Sequence, residues 1–235
     1  MQLADVFLHW CQLGVDGFRC DAGYMIPAPV WAYITARVRE QYPDTIFFLE
    51  GLGGSIHTTE DLLQEAGHNW AYSEFFQQFG YQDMLDYIRF AISFSNRFGC
   101  LVNFAETHDN PRLAAKSPAW AALRVKTAAL FSVAGAFGIA NGVEWLATEK
   151  IHVHDANSLA WGSEPNLTSL IQTLTRLLNQ HPAFQAQATL RIPNSFRGNA
   201  IGMLRYPPSD DVSSQTRPIP TTTPLLVAAN PEENQ

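Results

Sequence analysis

Val15-Asp16-Gly17-Phe18-Arg19-Cys20-Asp21-Ala22 is a short apolar run that ends in an arginine and a carboxylate. Residues two apart in an extended strand face the same way, so Arg19 and Asp21 are expected side by side. Phe18 and Cys20 then point to the other face. A guanidinium is always charged and favours the ionised form of a neighbouring carboxylate. The stretch therefore predicts a β-strand that ends in an ionised aspartate, the form that a nucleophile requires.

Two later stretches have the same form. Residues 45–50 form a β-branched and aromatic run that ends in Glu50, and residues 100–109 form another that ends in His108 and Asp109. In a parallel sheet or barrel the C-terminal strand ends lie on one face, so side chains far apart in sequence can converge there. One acid after a strand is usually a helix cap, but three successive strands that end in acids indicate a shared site.

Three motifs in these stretches resemble a known family. Gly-Phe-Arg-Cys-Asp-Ala at 17–22, Phe-Leu-Glu-Gly at 48–51 and Glu-Thr-His-Asp-Asn at 106–110 are similar to the second, third and fourth conserved regions of the α-amylase superfamily, glycoside hydrolase family 13. Their order and spacing also match, over roughly residues 5–180. The resemblance implies an α/β fold, a partial (β/α)8 TIM barrel made of strands four to eight, followed by the start of an all-β C-terminal sandwich.

The resemblance also implies roles for single residues. Asp21 would be the nucleophile, Glu50 the general acid/base, and Asp109 the carboxylate that stabilises the transition state and binds sugar hydroxyls. Arg19 would orient the nucleophile, and His108 would hydrogen-bond the sugar in the subsite being cleaved. The expected catalytic residues are thus three carboxylates from separate β-segments.

Aromatic side chains near the motifs are candidates for stacking on sugar rings. Tyr24 and Trp145 are the two expected to bind substrate, although aromatic residues in a barrel more often pack in its core. His152, His154 and Asp155 have ligand types that can bind a metal ion, but an exposed loop explains the group better. We therefore expect no metal ion and no other cofactor.

Composition limits the partners. The net charge of −7 and the pI near 5.4 disfavour nucleic acid and an anionic membrane surface, and they suit a neutral polyol substrate. The family resemblance implies that this substrate is an α-glucan oligosaccharide. No stretch approaches the length of a membrane span, and residues 1–5 lack the basic start of a secretory signal. The expected location is cytoplasmic.

The helical and strand patterns predict two domains. Residues 1–185 would form the C-terminal half of the catalytic barrel, and residues 186–235 a truncated β-sandwich. The predicted helices are 3–13, 29–41, 59–66, 81–95, 118–134 and 164–180. The predicted strands are 15–20, 45–50, 137–141, 188–192, 200–206 and 224–229, with a strand and its loop over 69–76 and a further strand before His108.

Two departures from the family pattern bear on activity. A complete barrel needs about 250 residues, and the family's first conserved region, with its Asp and Asn-His, has no counterpart here. The family's Lys-His pair after the nucleophile is replaced by Gly23-Tyr24-Met25-Ile26. The isolated chain is therefore expected to be a fragment that self-associates and that can be inactive by itself.

Three functions remain open at this stage. The leading expectation is hydrolysis of α-1,4-glucans such as starch, glycogen or maltodextrin by retaining double displacement. The alternative is a glucan or maltosyl transferase of the same superfamily, which uses the same covalent intermediate. The third is a catalytically silent fragment.

Overall fold

The opening stretch forms a β-strand, β1, at Gly17–Cys20, and the helix before it, α1, spans Gln2–Gln12. Gly14 follows that helix with φ of 96°, a left-handed conformation that glycine adopts without strain, so the helix ends where the sequence predicts. The structure, a computed structural model, describes residues 2–152, 159–193, 200–208 and 223–231.

Further helices and strands follow along the chain. The helices are α2 (Ala28–Arg39), α3 (Ile56–Gln64), α4 (Tyr81–Ser95), α5 (Pro118–Leu130) and α6 (Thr168–Gln180). The strands are β2 (Ile46–Leu49), β3 (Trp70–Tyr72), β4 (Cys100–Phe104), β5 (Phe137–Gly138), β6 (Thr189–Arg191), β7 (Ile201–Tyr206) and β8 (Leu225–Ala229).

The chain divides into two compact units. Unit 1 comprises Met1–Ser73 and Ser93–Val102, and unit 2 comprises Glu74–Ile92 and Asn103–Gln235. Strand β4 contributes its first three residues to unit 1 and its last two to unit 2.

Unit 1 is a parallel sheet with helices. β1 pairs with β2, β2 with β3, and β3 with β4, all in parallel. Phe47 and Leu49 of β2 are fully buried, whereas Ile46 and Phe48 are partly exposed, so the alternation of side chains along the strand sets the core face. Helix α2 buries Trp31, Ile34 and Val38. The parallel pairing confirms the predicted α/β class.

Unit 2 contains one parallel strand pair and a separate antiparallel sheet. β4 and β5 pair in parallel through Asn103 and Phe104, and Asn103 Nδ2 donates to the Ala128 carbonyl of α5 at 3.1 Å. β6, β7 and β8 form the antiparallel sheet, in that order. All three strands lie after residue 185, as predicted for the second domain; the boundary at 185/186 stays a prediction.

A buried arginine links elements within unit 2. Arg205 of β7 is fully buried, and it donates to the carbonyls of Ala183 and Ser132, each at 2.9 Å. Its guanidinium lies 4.0 Å from the centroid of the Phe184 ring. Burial lowers the pKa of Arg205 to about 10. Carbonyl oxygens and an aromatic face thus compensate this charge in place of a carboxylate.

Helix α3 begins earlier than the sequence predicts. We expect a helix over 59–66 capped by Thr59, but Ser55 is the cap, since its Oγ accepts from the N–H of Thr58 at 3.2 Å. Thr59 lies inside the helix and is buried. The predicted cap was therefore wrong because two hydroxyl residues compete within one turn.

Other boundaries are also corrected. Residues 69–76 are predicted to be a strand with its loop, and the strand part covers Trp70–Tyr72. Glu74–Gln77 then forms a 3₁₀ turn in which the Glu74 N–H donates to Tyr87 Oη at 2.7 Å. Helix α5 ends at Leu130 rather than 134, since the backbone is extended at Ser132, with φ of −63° and ψ of 142°. Helix α6 begins at Thr168 rather than 164, where Asn166 Oδ1 accepts from the Thr168 N–H at 3.1 Å.

Two predicted strands are shorter than expected. The strand before His108 ends at Phe104, and the strand over 137–141 is reduced to Phe137–Gly138. Among the described residues, no helix is both long enough and apolar enough to cross a membrane.

Candidate active site

Arg19, Asp21 and Glu50 meet at the C-terminal ends of β1 and β2. The two strands are neighbours in parallel register, with Cys20 opposite Leu49, so the residues that follow them emerge side by side. Arg19 Nη1 donates to Asp21 Oδ1. Arg19 Nη2 lies 3.3 Å from Glu50 Oε2. One guanidinium therefore contacts both carboxylates. The sequence pattern predicts the contact with Asp21 but not the contact with Glu50.

The turn after Asp21 adds a second contact to Glu50. The backbone N–H of Ala22 donates to Glu50 Oε2 at 2.7 Å. Ala22 has a φ of 42°, a left-handed conformation that is unfavourable for a residue with a Cβ. Residues in such strained conformations are concentrated at active sites and ligand-binding sites. The strained turn thus directs an N–H group towards the carboxylate expected to act as acid/base.

The two carboxylates differ in exposure. The side chain of Asp21 is 76% exposed, that of Glu50 14% and that of Arg19 29%. Asp21 is accessible to a substrate, whereas Glu50 is recessed beside the guanidinium. Although burial lowers the pKa of Arg19, its hydrogen bond to Asp21 and the charges of Tyr72, Glu50 and Asp21 raise the pKa above its ordinary value. Arg19 is thus a permanent cation between two acids.

Tyr72 is a site residue that the sequence analysis missed. It ends β3, and the centroid of its ring lies 5.6 Å from Arg19 Cζ. Burial raises the pKa of the Tyr72 hydroxyl, while Arg19 opposes the shift. The rule that located Asp21 and Glu50, the residue at a parallel strand's C-terminal end, also applies to Tyr72. Tyr72 carries a phenol at this position, whereas the strand-end residues predicted from the sequence are carboxylates.

Tyr24 packs against the loop that follows Glu50. A Cβ placed on Gly54 would lie 2.7 Å from Tyr24 Cβ and 2.9 Å from Tyr24 Cγ. Gly53 has a φ of 94°, and a Cβ there would lie 3.3 Å from Tyr24 Oη. The tyrosine thus contacts the backbone of two successive glycines. Sugar stacking by Tyr24 stays a prediction, and loop packing is the contact observed.

His108 and Asp109 lie together in unit 2. His108 Nε2 is 3.4 Å from Asp109 Oδ2, and the side chains are 41% and 68% exposed. The short helix that follows, Leu113–Ala115, has Arg112 at its N-cap position, so Asp109 does not cap it. The helix-cap alternative for this acid is therefore excluded. Because Asp21 and Glu50 belong to unit 1, the convergence of all three carboxylates stays a prediction.

Glu106 is a second residue that the sequence analysis gave no role. It is 3% exposed, its Oε2 accepts from the Leu113 N–H at 2.7 Å, and its Oε1 lies 2.9 Å from Arg112 Nη2. Arg112 Nη2 also donates to the Asn141 carbonyl at 2.9 Å. Burial raises the pKa of Glu106, while the Leu113 N–H and Arg112 oppose this shift. The ion pair closes the loop that carries His108 and Asp109.

Trp145 lies in a different loop of unit 2. Its ring centroid is 5.6 Å from that of Trp161, which is 77% exposed. Its role in substrate binding stays a prediction. Of the three residues considered for a metal ion, His154 and Asp155 lie outside the described residues. Within the described part of the chain, no three His, Cys, Asp or Glu side chains gather in a way that could hold a metal ion.

Comparison with known proteins shows which proteins the chain resembles in sequence and in fold. No protein-family model matches the chain. Over 219 residues the chain is 29% identical to the α-1,4-glucan:maltose-1-phosphate maltosyltransferase of Rhodospirillum rubrum, covering 88% of this chain and 31% of that protein. The α-amylase of Geobacillus thermoleovorans, solved with acarbose, matches 87% of this chain and 49% of its own, with a TM-score of 0.69 and 15% identity. The resemblance to the α-amylase superfamily is confirmed.

A second superfamily structure has the same fold. The α-amylase of Lactobacillus plantarum matches 86% of this chain and 52% of its own, with a TM-score of 0.63 and 19% identity. The likeness confirms the partial amylase-type barrel. The chain spans about half the length of the solved superfamily chains that it matches and 31% of the R. rubrum relative. Its relatives are superfamily enzymes, and the curated ones that match are named as maltosyltransferases rather than hydrolases.

Proposed function

We propose that the chain carries the catalytic carboxylates of a retaining α-glucan transferase, which moves a maltosyl group from maltose 1-phosphate to an α-1,4-glucan. The observation that carries the proposal is the contact of Arg19 with both Asp21 and Glu50. Retaining enzymes need two carboxyl groups close together on either side of the bond that breaks. A cation between two such groups holds them near each other and keeps the nucleophile ionised.

The proposed chemistry has two displacements. In the first, an Asp21 carboxylate oxygen attacks the anomeric carbon, the bond from that carbon to the phosphate oxygen breaks, and Glu50 gives its proton to the leaving phosphate. In the second, a glucan hydroxyl attacks the same carbon, Glu50 takes its proton, and the ester bond to Asp21 breaks. The anomeric configuration is retained and Glu50 returns to its starting state.

Asp109 has an electrostatic role in this proposal. The transition state gains positive charge at the sugar ring, so a second carboxylate that faces the ring stabilises it. His108, 3.4 Å from Asp109, would hydrogen-bond the same sugar. This step requires Asp109 to reach the sugar bound at Asp21 and Glu50.

The proposed domains are residues 1–185 for the catalytic half-barrel and 186–235 for the β-sandwich.

Transfer is preferred to hydrolysis because of the relatives' names. All six curated relatives are named as transferases that use maltose 1-phosphate. Hydrolysis of α-1,4-glucans stays the second candidate, since water and a sugar hydroxyl can attack the same covalent intermediate. The two differ only in the acceptor.

The test supplies both substrates. The chain is incubated with maltose 1-phosphate and maltohexaose, and released phosphate and product length are measured. A second sample replaces the matched region of the R. rubrum enzyme with this chain, so that the carboxylates also act inside a full-length relative. Transfer predicts phosphate release together with products longer by two glucose units. Both signals should be lost in the Asp21→Asn and Glu50→Gln variants. Maltose without longer products would favour hydrolysis, and inactivity of both samples would reject the proposal.

A further inference from the structure

Unit 2 contains a pocket that the proposed chemistry does not use. Its volume is about 680 Å³, and its lining combines aromatic side chains with two amides, one lysine and a buried ion pair. Pockets of roughly 300–1,000 Å³ that are mostly apolar, with a few polar groups, are typical of small-molecule sites. Neither His108 nor Asp109 lines it, and neither do the unit 1 residues Arg19, Asp21 and Glu50. The pocket therefore borders the loop that carries His108 and Asp109, but the proposed catalytic side chains are not part of its lining.

Phe79 is an exposed aromatic residue at this pocket, and two neighbouring side chains hold its ring in position. Phe79 is 51% exposed, and its ring stacks on that of Trp120 with centroids 6.2 Å apart and planes at 25°. Arg124 Cζ lies 4.9 Å from the Phe79 centroid and 5.8 Å from the Trp120 centroid. A half-exposed phenylalanine fixed by stacking and by a cation is a preorganised apolar platform.

Arg124 is itself firmly anchored. It is 1% exposed, and its guanidinium donates to the carbonyls of Gln78 at 2.7 Å, Phe75 at 3.1 Å and Phe76 at 3.2 Å. Burial lowers the pKa of Arg124 to about 10, which still leaves it charged at neutral pH. The Arg124 guanidinium therefore connects the 3₁₀ turn at Glu74–Gln77 to α5 and fixes the position of the Phe79 ring.

The polar groups of the pocket suit a neutral ligand with many hydroxyls. Glu106 and Arg112 neutralise each other at a distance of 2.9 Å, and both are buried. Gln77 and Asn110 supply side-chain amides, which can donate and accept, as a sugar hydroxyl does. Lys116 adds one positive charge, and its Nζ lies 3.9 Å from the Trp120 ring centroid. No strongly charged group on the ligand is required.

We propose that this pocket binds a segment of α-glucan chain, with one sugar face on Phe79 and hydroxyls on Gln77 and Asn110. The inference rests on the proposed function, because it assigns the pocket to the glucan substrate of that reaction. A second contact on a long glucan raises the local concentration of chain ends at the enzyme. The pocket should therefore matter for long glucans and not for short ones.

The test measures binding without turnover. Calorimetric titrations of the chain carrying Glu50→Gln use maltoheptaose, maltose 1-phosphate and inorganic phosphate as separate ligands. In this background we expect Phe79→Ala to weaken maltoheptaose binding about tenfold or to remove one binding site. Phe79→Trp, which keeps an aromatic face, should retain binding. Phe90→Ala, at a residue that is 37% exposed on α4, is the matched control and should leave binding unchanged.

Each outcome decides the inference. Equal maltoheptaose binding by the parent and Phe79→Ala overturns it, and so does phosphate binding that depends on Lys116 in the absence of glucan binding. Thermal unfolding of each variant, followed by circular dichroism, tells loss of a site from loss of fold, and Phe79→Trp carries the comparison if Phe79→Ala unfolds. Phe79-dependent glucan binding in these titrations, together with inactivity of both samples in the transfer assay with Glu50 intact, would reject the proposed function and keep the pocket.

Discussion

Arg19 Nη2 lies 3.3 Å from Glu50 Oε2, so the cation expected to orient the nucleophile also faces the residue proposed as general acid/base. The same guanidinium donates to Asp21 through Nη1. Two separate nitrogens thus serve two carboxylates. A planar, forked donor can do this, whereas a lysine ammonium is a single point charge.

Arg19→Lys should therefore lower kcat/KM by about 10- to 100-fold, the value of one lost charge-assisted hydrogen bond of roughly 1.5–3 kcal/mol. Steady-state kinetics of the transfer reaction measure the change. Arg37→Lys is the matched control, because Arg37 forms an exposed pair with Glu40 on the surface of unit 1. An Arg19→Lys enzyme as active as the Arg37→Lys enzyme would contradict the assigned role.

The contact between Tyr24 and Gly54 should couple the loops that follow Asp21 and Glu50. Gly54→Ala places a Cβ 2.7 Å from Tyr24 Cβ and 2.9 Å from its Cγ, so we expect destabilisation of about 1–3 kcal/mol from overpacking. It should also reduce kcat more than it changes KM, since the loop follows Glu50. Urea denaturation and steady-state kinetics measure the two effects.

A double-mutant cycle distinguishes this contact from a general loss of stability. Tyr24→Gly removes the Cβ and the ring that the new methyl group meets, so Tyr24→Gly with Gly54→Ala should recover about 1 kcal/mol relative to the sum of the single changes. Strict additivity would show that the two positions do not touch in solution.

The strand ends were predictable from the sequence, and the contacts around them were only partly so. The alternation of side chains along β1 correctly placed Arg19 beside Asp21, because that relation is local. The contact of Arg19 with Glu50 depends on strand order, which a single strand does not encode. The roles of Tyr72 and Glu106 depend on partners brought close by tertiary packing.

His68 should make unit 1 less stable in acid. It is 4% exposed, its Nδ1 lies 3.1 Å from the Leu62 carbonyl, and its Nε2 has no hydrogen-bond partner among the described residues. The rings of Trp31 and Phe47 lie 5.1 and 6.3 Å from its own. Burial lowers the pKa of His68 to about 4. A proton on Nε2 would therefore be held in an apolar site without an acceptor.

The sign of the pH effect follows. The unfolded chain binds this proton below pH about 6.5 and the folded chain only near pH 4, so stability is full above 6.5 and falls as the pH drops towards 4. The slope should approach about 1.4 kcal/mol per pH unit in this window. Urea unfolding from pH 7 to 4.5 should show the loss in the parent and in His57→Gln, an exposed control, but a smaller one in His68→Gln. Equal slopes for all three would contradict the prediction.

Helix α1 should limit the solubility of the isolated chain. Leu3, Val6, Trp10 and Leu13 recur at helical spacing and are 61%, 52%, 49% and 63% exposed. Contiguous exposed apolar residues promote association. Leu3→Ser with Leu13→Ser should raise the concentration at which light scattering appears, whereas Leu226→Ser, at a residue 51% exposed on β8, should change it less. The self-association expected from the sequence stays a prediction until this is measured.

Removing one member of the buried pair of Glu106 and Arg112 should lower the free energy of unfolding more than replacing both members with apolar residues. Glu106→Gln keeps a side-chain oxygen for the Leu113 N–H, at present 2.7 Å from Glu106 Oε2, but leaves the Arg112 guanidinium without its carboxylate. Removing one member of a buried ion pair typically costs about 3–5 kcal/mol, whereas apolar replacement of both is often neutral. Glu106→Gln should therefore destabilise the protein more than Glu106→Leu with Arg112→Met does. Chemical denaturation measures both, and a double variant less stable than Glu106→Gln would mean that the hydrogen bonds to Leu113 and Asn141, rather than charge compensation, hold the loop.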